Sequence, residues 1–518
     1  MRSVTRPVLL NALLTMIMPV FLIASGNPHK VKHVIIVMQE NHSFDNYFGA
    51  LAYAPGSPYH QPAPAHGGSP AGCKQNDHAC VDGLSCATDS TGNLTCTNSN
   101  VEADGRVVNA FHDPHVCVIP DLDHSWPGAH REINFADGNL ALMHPLNDGF
   151  VRVNDASEQQ DLLGENATED DTMGFYTQNE IPFYYDLAQK FAISDRYFSS
   201  LIGPTFPNRA YLMAATSFGH LSTNEIVPPP GGYKPITGSI FDLMDAHGVS
   251  WADYFQDVPQ AADFRVFPPV PPDTHFQPLA AFLAQAAGTP GAGTLPQVSF
   301  LDPNFGFFGL AVENDEHPPT DIRRGQFYVS EVVNALRNGP YWNDSVIFIG
   351  YDEHGGFYDH AQPPAAAQGG ALNPDGINPG QCADLSNPPA SEQPGGGANC
   401  SFSMSDAAAL CSGFTASGPY PAGCANFNQL GVRVPFITVS PFSKPQYVSH
   451  TIADHTSLLA FIETVFMGDD DGVRPHLTLR DLNASPLLDL FDFNGSPSLN
   501  TPVEQASPAF LDCTPTPN

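Results

Sequence analysis

Three short apolar runs, over residues 31–38, 346–351 and 434–439, are rich in β-branched side chains. Each run is continuous and does not alternate with polar residues, which is typical of parallel strands buried on both faces. Stretches with the pattern of helices cover residues 326–336 and 456–467. This alternation predicts an α/β fold with a mostly parallel sheet that is covered by helices on both faces.

Two stretches interrupt this pattern and are predicted to be insertions. Residues 52–105 are rich in Pro, Gly, Asn and Cys, and residues 362–427 are rich in Pro, Ala and Gly. Long loops of this kind are either ordered parts of a site or surface decoration, and both interpretations stay open. Residues 468–518 hold one amphipathic patch near 487–493 and are predicted to form a tail that packs on the same domain.

The beginning of the chain predicts an exported protein. Arg2 and Arg6 are followed by an apolar run over 8–23 and by the small residues 24–26. This order is typical of a signal peptide over residues 1–25, and an uncleaved membrane anchor is the less favoured alternative. The predicted localisation is therefore secreted or periplasmic.

The ten cysteines fit an oxidising compartment, because they lack the paired C-x-x-C spacing of a zinc site. Disulfides that staple the insertions are predicted instead. The cysteines form groups of five, four and one, so at least one bridge must join two groups. They are Cys73, Cys80, Cys86, Cys96, Cys117, Cys382, Cys400, Cys411, Cys424 and Cys513.

The charge balance narrows the possible partners. The chain has 54 acidic and 20 basic residues, a formal net charge of -34. Binding to a phosphate backbone needs clustered Lys and Arg, so nucleic acid is excluded as a partner. Tight adsorption to an anionic membrane is disfavoured as well, which leaves at most transient contact with a membrane surface.

Polar residues follow the first predicted strand directly. Glu40 and Asn41 stand where ligands bind in open α/β sheets, at the carboxyl end of a strand. A carboxylate and a carboxamide oxygen suit a hard cation. The alternative is that Glu40 caps a helix and Asn41 makes a turn.

A second polar motif follows the strand predicted over 346–351. Asp352 and Glu353 are adjacent carboxylates that need a compensating charge if buried, and a metal ion would supply it. His354 and His360 add nitrogen donors or acids, and the glycines at 355 and 356 let the backbone approach a ligand closely.

Thr205 is the candidate nucleophile. A glycine and two prolines hold the backbone around its hydroxyl in the segment 203–209. A hydroxyl on a metal loses its proton more readily, although a Thr between prolines is also common in inert turns. Serine-hydrolase chemistry has no support, since no G-x-S-x-G is present.

Three histidines complete the candidate chemistry. His124 and His317 lie in acidic surroundings and could stabilise phosphate oxygens or protonate a leaving group. His455, beside Asp454, is predicted to be structural and to tie the start of a helix to the sheet.

Four segments, ENHSFDNYFG, GPTFPNR, NDEHPP and YDEHGGFYDH, resemble in their order a bacterial phosphoesterase family. This family includes phospholipases C and a branch of secreted acid phosphatases, and it is similar to the alkaline phosphatase superfamily. The resemblance covers about residues 31–467 and implies a catalytic domain over 26–467. The implied fold is a three-layer sandwich like that of alkaline phosphatase.

The resemblance also implies roles for single residues. One divalent metal ion, Ca²⁺, Mg²⁺ or Mn²⁺, would be held by Glu40, Asn41, Thr205, Asp352 and Glu353. The catalytic residues would be Thr205, His124 and His317, with His354 as a helper. Attack by Thr205 would form a phosphothreonine that water then hydrolyses. Position 42 is often Arg in this family, so the role of His42 stays open.

The favoured function is phospholipase C-like cleavage of a phospholipid. Thr at the nucleophile position favours this branch, because the acid phosphatase branch uses Ser. The alternative is an acid phosphatase that acts on small phosphomonoesters, and a non-catalytic secreted binding protein on the same fold is less favoured. The sequence makes no prediction of oligomeric state.

Overall fold

The computed structural model describes residues 26–62, 72–102, 105–117, 121–134, 146–158, 171–267, 269, 273–307, 313–366, 373–385, 399–469, 472–511 and 513. The predicted signal peptide over residues 1–25 lies outside these ranges. None of the helices within them has the length and apolar character needed to cross a bilayer.

The chain contains fourteen strands and eleven α-helices within the described residues. The strands are β1 (His33–Gln39), β2 (Cys86–Thr88), β3 (Leu94–Cys96), β4 (Ser99–Val101), β5 (Val107–Asn109), β6 (Phe111–His112), β7 (Gly174–Phe175), β8 (Ala192–Ser194), β9 (Trp251–Phe255), β10 (Phe276–Pro278), β11 (Val298–Leu301), β12 (Ser345–Tyr351), β13 (Phe436–Val439) and β14 (Tyr447–Ser449). The helices are α1 (Phe44–Phe48), α2 (Trp126–Glu132), α3 (Phe150–Glu158), α4 (Pro182–Lys190), α5 (Thr205–Ala214), α6 (Ile240–His247), α7 (Leu279–Ala286), α8 (Arg323–Arg337), α9 (Ser401–Leu410), α10 (His455–Phe466) and α11 (Leu479–Asn483).

Eight strands form the central sheet in the order β10-β9-β11-β1-β12-β13-β8-β14. The pairs from β10 through β12 are parallel, and so is the β8–β14 pair. Every residue of β12 and all but the first of β1 are buried. Successive side chains point to opposite faces, so helices cover both sides of the sheet. The predicted α/β fold with a mostly parallel sheet is confirmed.

The third apolar run differs from the prediction in direction. β13 pairs antiparallel with both β12 and β8. A buried run has the same composition in either direction, so its pattern does not encode orientation. The Ser440 hydroxyl, after β13, donates to the carbonyl of Ser345 (2.8 Å) at the start of β12. The end of β13 therefore lies at the sheet edge opposite the carboxyl ends of β1 and β12.

The disulfides follow the predicted grouping. Four bridges lie within the groups, and the fifth joins the first group to the single cysteine near the end of the chain, which confirms a bridge between groups. They are Cys73–Cys80, Cys86–Cys96, Cys382–Cys400, Cys411–Cys424 and Cys117–Cys513. They indicate an oxidising compartment.

The tail contacts the rest of the molecule at several points. Phe491 and Phe493 are buried in the same core as the central strands, and Trp342 Nε1 donates to the carbonyl of Leu499 (3.1 Å). The division into a catalytic domain over 26–467 and a tail over 468–518 stays a prediction.

A buried ionic cluster lies behind the loop that follows β12. The guanidinium of Arg433 donates to Asp359 Oδ1 (2.9 Å) and Asp45 Oδ1 (3.1 Å), and the side chain is fully buried. His360 Nδ1 contacts Asp45 Oδ2 (2.6 Å). His360, a candidate nitrogen donor in the sequence, therefore belongs to this cluster.

His360 should make stability depend on alkaline pH. Burial disfavours its charged ring, but Asp45 and Asp82 outweigh burial and raise the pKa to about 10. A raised folded-state pKa stabilises the protein fully below about pH 6.5, and this contribution is lost as pH rises through about 10. Between these pH values, wild type should lose up to roughly 5 kcal/mol more unfolding free energy than His360→Gln. Denaturant unfolding at both pH values measures this, and parallel losses would contradict it.

Candidate active site

The predicted metal-binding residues meet at the carboxyl ends of two neighbouring strands. β1 and β12 are parallel with Gln39 opposite Tyr351, so the residues that follow them leave the sheet at one edge. Glu40, Asn41, Asp352 and Glu353 are all buried there, with exposures of 5% or less. Glu40 and Asn41 are adjacent in the sequence, as are Asp352 and Glu353, and more than 300 positions separate the two pairs. The structure brings all four residues to one edge of the sheet.

Arg209 joins two of these carboxylates. Its Nη2 lies 3.0 Å from Glu40 Oε1, and its Nε lies 3.2 Å from Asp352 Oδ2. The same side chain donates to Gln260 Oε1 (3.0 Å) and to the carbonyl of Met38 (3.1 Å). The guanidinium is buried, so it neutralises charge in the low-dielectric edge of the sheet.

Thr205 is the first residue of α5 and follows Pro204, whose backbone is extended. Asn208 fixes this turn: its Oδ1 accepts from Leu201 N (3.0 Å), and its Nδ2 donates to Gly203 O (2.8 Å). Arg209 lies one helical turn after Thr205 and therefore on the same face of α5. The contacts of Arg209 with Glu40 and Asp352 consequently hold the start of α5 against the strand ends.

The four strand-end residues offer the carboxylate and carboxamide oxygens that a hard divalent cation prefers. Among the described residues, neither Oδ1 nor Nδ2 of Asn41 has a hydrogen-bond partner, although the side chain is fully buried. Burial and the neighbouring Glu40 raise the pKa of Asp352 well above its usual range. A bound cation would give Asn41 Oδ1 a partner and offset the charge of Asp352, and oxygen ligands suit Ca²⁺, Mg²⁺ or Mn²⁺. These donors suit a divalent metal without identifying it.

His124 lies between two carboxylates. Its Nδ1 is 2.5 Å from Glu353 Oε1, and its Nε2 is 3.6 Å from Asp121 Oδ2. Burial opposes protonation, but Glu353 and Asp121 outweigh it and raise the pKa of His124 well above its ordinary value. The two carboxylates therefore favour the protonated ring.

His317 is held by a strained turn. The preceding residue, Glu316, has φ 78°, which is unusual for a residue other than glycine. The buried Glu316 carboxylate accepts from the hydroxyls of Tyr47 (2.5 Å) and Tyr351 (2.6 Å). His317 Nδ1 donates to the carbonyl of Pro318 (2.6 Å). Because a carbonyl only accepts, Nδ1 carries a proton and Nε2 is the nitrogen that can take or give one.

His354 lies behind the site. Its Nε2 contacts Glu132 Oε2 (2.8 Å), and its Nδ1 contacts Glu353 Oε2 (3.2 Å). Burial lowers the pKa of His354, but the two carboxylates outweigh burial and raise the pKa to about 9. In the described part of the chain it does not line the cavity, so it can act on a substrate only through Glu353.

The glycine at 355 serves the protein backbone. It has φ 61°, and a Cβ there would lie 2.2 Å from the carbonyl oxygen of Asn41. The sequence predicted close approach to a ligand at this position, whereas the structure shows close approach to the loop after β1. A larger residue would displace Asn41 from the strand edge.

A cavity of about 980 Å³ opens at this edge of the sheet. Thr205, Glu40, His124 and His317 are among its lining residues, so the structure brings the candidate nucleophile, the candidate ligand Glu40 and two candidate acid–base groups into one space. Its apolar lining comes mainly from the end of β9, from the loops after β9 and β11, and from the segment after α5: Ile226, Val227, Phe255, Val258, Pro259, Phe267, Pro269, Phe305 and Phe307.

Acidic side chains predominate in the cavity lining. Its described lining contains no Lys or Arg, and its carboxylates are Glu40, Asp121, Asp123, Asp257, Asp263, Glu313, Asp315 and Asp406. One of them, Asp406, belongs to the second insertion. The described part of the first insertion, over 52–105, contributes no lining residue.

Two further histidines are structural. His455 Nε2 donates to the carbonyl of Asp352 (2.7 Å) from the first residue of α10, as predicted for a histidine that ties a helix to the sheet. His42 is fully buried against Glu316 O (3.0 Å) and Asn46 Oδ1 (2.8 Å). Burial lowers the pKa of His42 to about 3, so the ring is neutral.

Sequence reasoning missed Arg209, Glu132 and Asp315. The position of Arg209 four residues after Thr205 is a signal that could have found it, because this spacing places both on one helix face. Asp315, two residues before His317, is buried with Glu40, whose amide donates to the Asp315 carbonyl (2.8 Å). Glu132 carries no comparable signal, since only the fold brings it to His354.

The chain is similar to known proteins over most of its length. The model of the Phosphoesterase family matches residues 31–467. Non-specific phospholipase C6 of Arabidopsis thaliana is 29% identical over 453 residues, which cover 84% of this chain and 68% of that protein. Phospholipase C A of Mycobacterium tuberculosis is 28% identical over 474 residues, which cover 85% of this chain and 74% of that protein.

Solved structures show only distant likeness. Murine ectonucleotide pyrophosphatase/phosphodiesterase 5 has a TM-score of 0.33 and 12% identity, with coverage of 60% of this chain and 94% of that chain. The lipoteichoic acid synthase LtaP from Listeria monocytogenes has a TM-score of 0.30 and 14% identity, with coverage of 59% and 70%. At these TM-scores the likeness says nothing about activity.

Proposed function

Because this chain belongs to the Phosphoesterase family and is a hydrolase of phosphate esters, we propose that it cleaves phospholipids in the manner of a phospholipase C. The observation that carries this proposal is the mixed lining of the cavity. Thr205, His124 and His317 line the same cavity as a large set of apolar side chains. A phospholipid is mixed in the same way, since its phosphate is joined to an apolar diacylglycerol.

The charge of the lining favours a diester over a monoester. A phosphomonoester carries up to two negative charges, whereas a diester carries one. Eight acidic side chains and no Lys or Arg line the described part of the cavity, and burial raises the pKa of four of them, Asp263, Glu313, Asp315 and Asp406. The acids that remain ionised would repel the more highly charged group more strongly. The same lining favours a zwitterionic lipid over an anionic one.

In the proposed reaction the Thr205 oxygen attacks phosphorus, and the bond from phosphorus to the glycerol oxygen breaks. His317 Nε2 takes the hydroxyl proton of Thr205 and passes it to the departing glycerol oxygen, which leaves as diacylglycerol. The charged ring of His124 stabilises the phosphate oxygens. Water then attacks the phosphothreonine with His317 again as base, and Thr205 regains its proton as the phosphorylated head group leaves.

Glu40, Asn41, Asp352 and Glu353, together with Thr205, would hold a divalent cation. When bound, this cation would lower the pKa of the Thr205 hydroxyl and neutralise charge on the phosphate. Asp352 and Glu353 keep lone pairs for it beside their contacts with Arg209 and His124. We propose His354 as a positioning residue that holds Glu353.

The test is hydrolysis of phosphatidylcholine and of p-nitrophenyl phosphate by the purified chain, with and without a chelator. We expect release of diacylglycerol and phosphocholine from the lipid and little turnover of the monoester. A chelator should abolish hydrolysis of either substrate, and adding Ca²⁺, Mg²⁺ or Mn²⁺ should restore it. Rapid turnover of the monoester with the lipid untouched would instead identify an acid phosphatase. No turnover with any of the three metals would favour a binding protein.

A further inference from the structure

The proposed substrate is too large for the cavity to enclose. A volume of about 980 Å³ is at the upper end of the range for sites that bury a drug-sized ligand. A phospholipid with two long acyl chains is much larger than such a ligand. If the glycerol phosphate reaches Thr205, most of the acyl chains must lie outside, and the surface around the cavity mouth determines their surroundings.

That surface carries large apolar side chains in water. Val227 and Phe307 both line the cavity and are 54% and 52% exposed. Phe402 on α9 is 51% exposed, and it lies one helical turn before Asp406, which lines the cavity, so both are on the same helix face. We call Val227, Phe307 and Phe402 the apolar rim.

The backbone of the rim is fixed by buried or bidentate contacts. Asp257 Oδ2 accepts from the amides of Phe305 (3.1 Å) and Phe307 (3.1 Å) and so holds that loop. Glu225 accepts from Ser403 N (2.9 Å) at its Oε1 and from the Ser403 hydroxyl at its Oε2. These bonds join the start of α9 to the turn that carries Val227.

A second link joins the same two elements. Asn399 Nδ2 donates to the carbonyl of Val227 (3.2 Å), just before α9 begins. Because hydrogen bonds hold the backbone at several points, the exposed rim side chains lie on an ordered surface. Their exposure leaves apolar area in water that a partner could cover.

We propose that the apolar rim docks on the surface of a zwitterionic phospholipid layer and that the substrate enters the cavity from it; this rests on the proposed function. The rim is continuous with the apolar lining of the cavity, so an acyl chain can stay in apolar surroundings from layer to site. A formal net charge of -34 repels anionic lipid, which leaves zwitterionic lipid as the matching surface.

Vesicle flotation tests the proposal, with every protein carrying Thr205→Val so that lipid is not consumed. Phosphatidylcholine vesicles should bind the parent, and Phe307→Ser or Phe402→Ser should weaken partitioning about five- to tenfold. The triple variant that adds Val227→Ser should lose measurable binding. Val107→Ser is the matched control, because Val107 is 59% exposed on β5 and does not line the cavity. Replacing part of the phosphatidylcholine with phosphatidylglycerol should weaken binding further.

Equal partitioning of the triple variant and the parent would overturn the docking surface. So would a dimer of the parent that the rim substitutions dissociate, measured by light scattering, because a second copy would then cover the rim. Thermal unfolding of each variant separates loss of docking from loss of folding.

Dibutyroylphosphatidylcholine, which is monomeric in water, separates this proposal from the proposed function. Wild-type protein should hydrolyse it, and Phe402→Ser should do so at an unchanged rate. If wild type fails on this soluble diester, the proposed function fails. If wild type hydrolyses the soluble diester but the rim variants bind vesicles as well as the parent does, only the docking surface is wrong.

Discussion

Replacing Thr205 with valine should lower kcat for phospholipid hydrolysis by about 10⁴-fold or more, which is the scale seen when a catalytic nucleophile is removed. Valine keeps the shape of threonine, so the start of α5 and its Asn208 anchor should remain in place. Kinetics on phosphatidylcholine and thermal unfolding of both proteins measure the two effects separately.

Thr205→Ser is the matched control, because it retains a hydroxyl at the same position. It should keep activity within about tenfold to a hundredfold of wild type, with the lost methyl as the only change in packing. Rapid quenching of wild type in acid during turnover of phosphatidylcholine should also trap phosphocholine esterified to Thr205. Equal activity of the valine variant and wild type would remove Thr205 from the mechanism.

Replacing Arg209 with methionine should make the folded protein depend strongly on a divalent cation. Removing one partner of a buried ion pair typically costs about 3–5 kcal/mol, because it leaves the other charge uncompensated. Here the loss would strand Glu40 and Asp352 together. A bound cation would then be their main counter-charge, so the fall in Tm on chelation should be larger in Arg209→Met than in wild type.

Thermal unfolding with chelator, and after adding back each metal, measures this coupling without any activity assay. Arg209→Lys keeps the charge but lacks the fork that reaches both carboxylates, so its chelator effect should fall between the two. An identical chelator effect in wild type and Arg209→Met would show that Arg209 does not compensate these carboxylates. Metal content of each protein, measured by mass spectrometry, controls for incomplete removal.

Local patterns in the sequence were enough for the α/β class, for the strands that carry the site and for the need of a bridge between cysteine groups. These features depend on composition and spacing over a few residues, where burial on both faces demands continuous apolar runs. The same locality explains the strand direction that was wrong for residues 434–439. The composition of a run buried on both faces does not show whether the strand runs parallel or antiparallel to its neighbours.

The sequence by itself determined the candidate residues for the chemistry: carboxylates after strands, a hydroxyl held between prolines, and histidines in acidic segments. Only the tertiary structure decided their partners. His124 meets Glu353, His354 meets Glu132, and Arg209 spans Glu40 and Asp352 across separations of more than 100 residues. Charge states and site geometry depend on burial and on contacts between distant segments, and no pattern along the chain contains either.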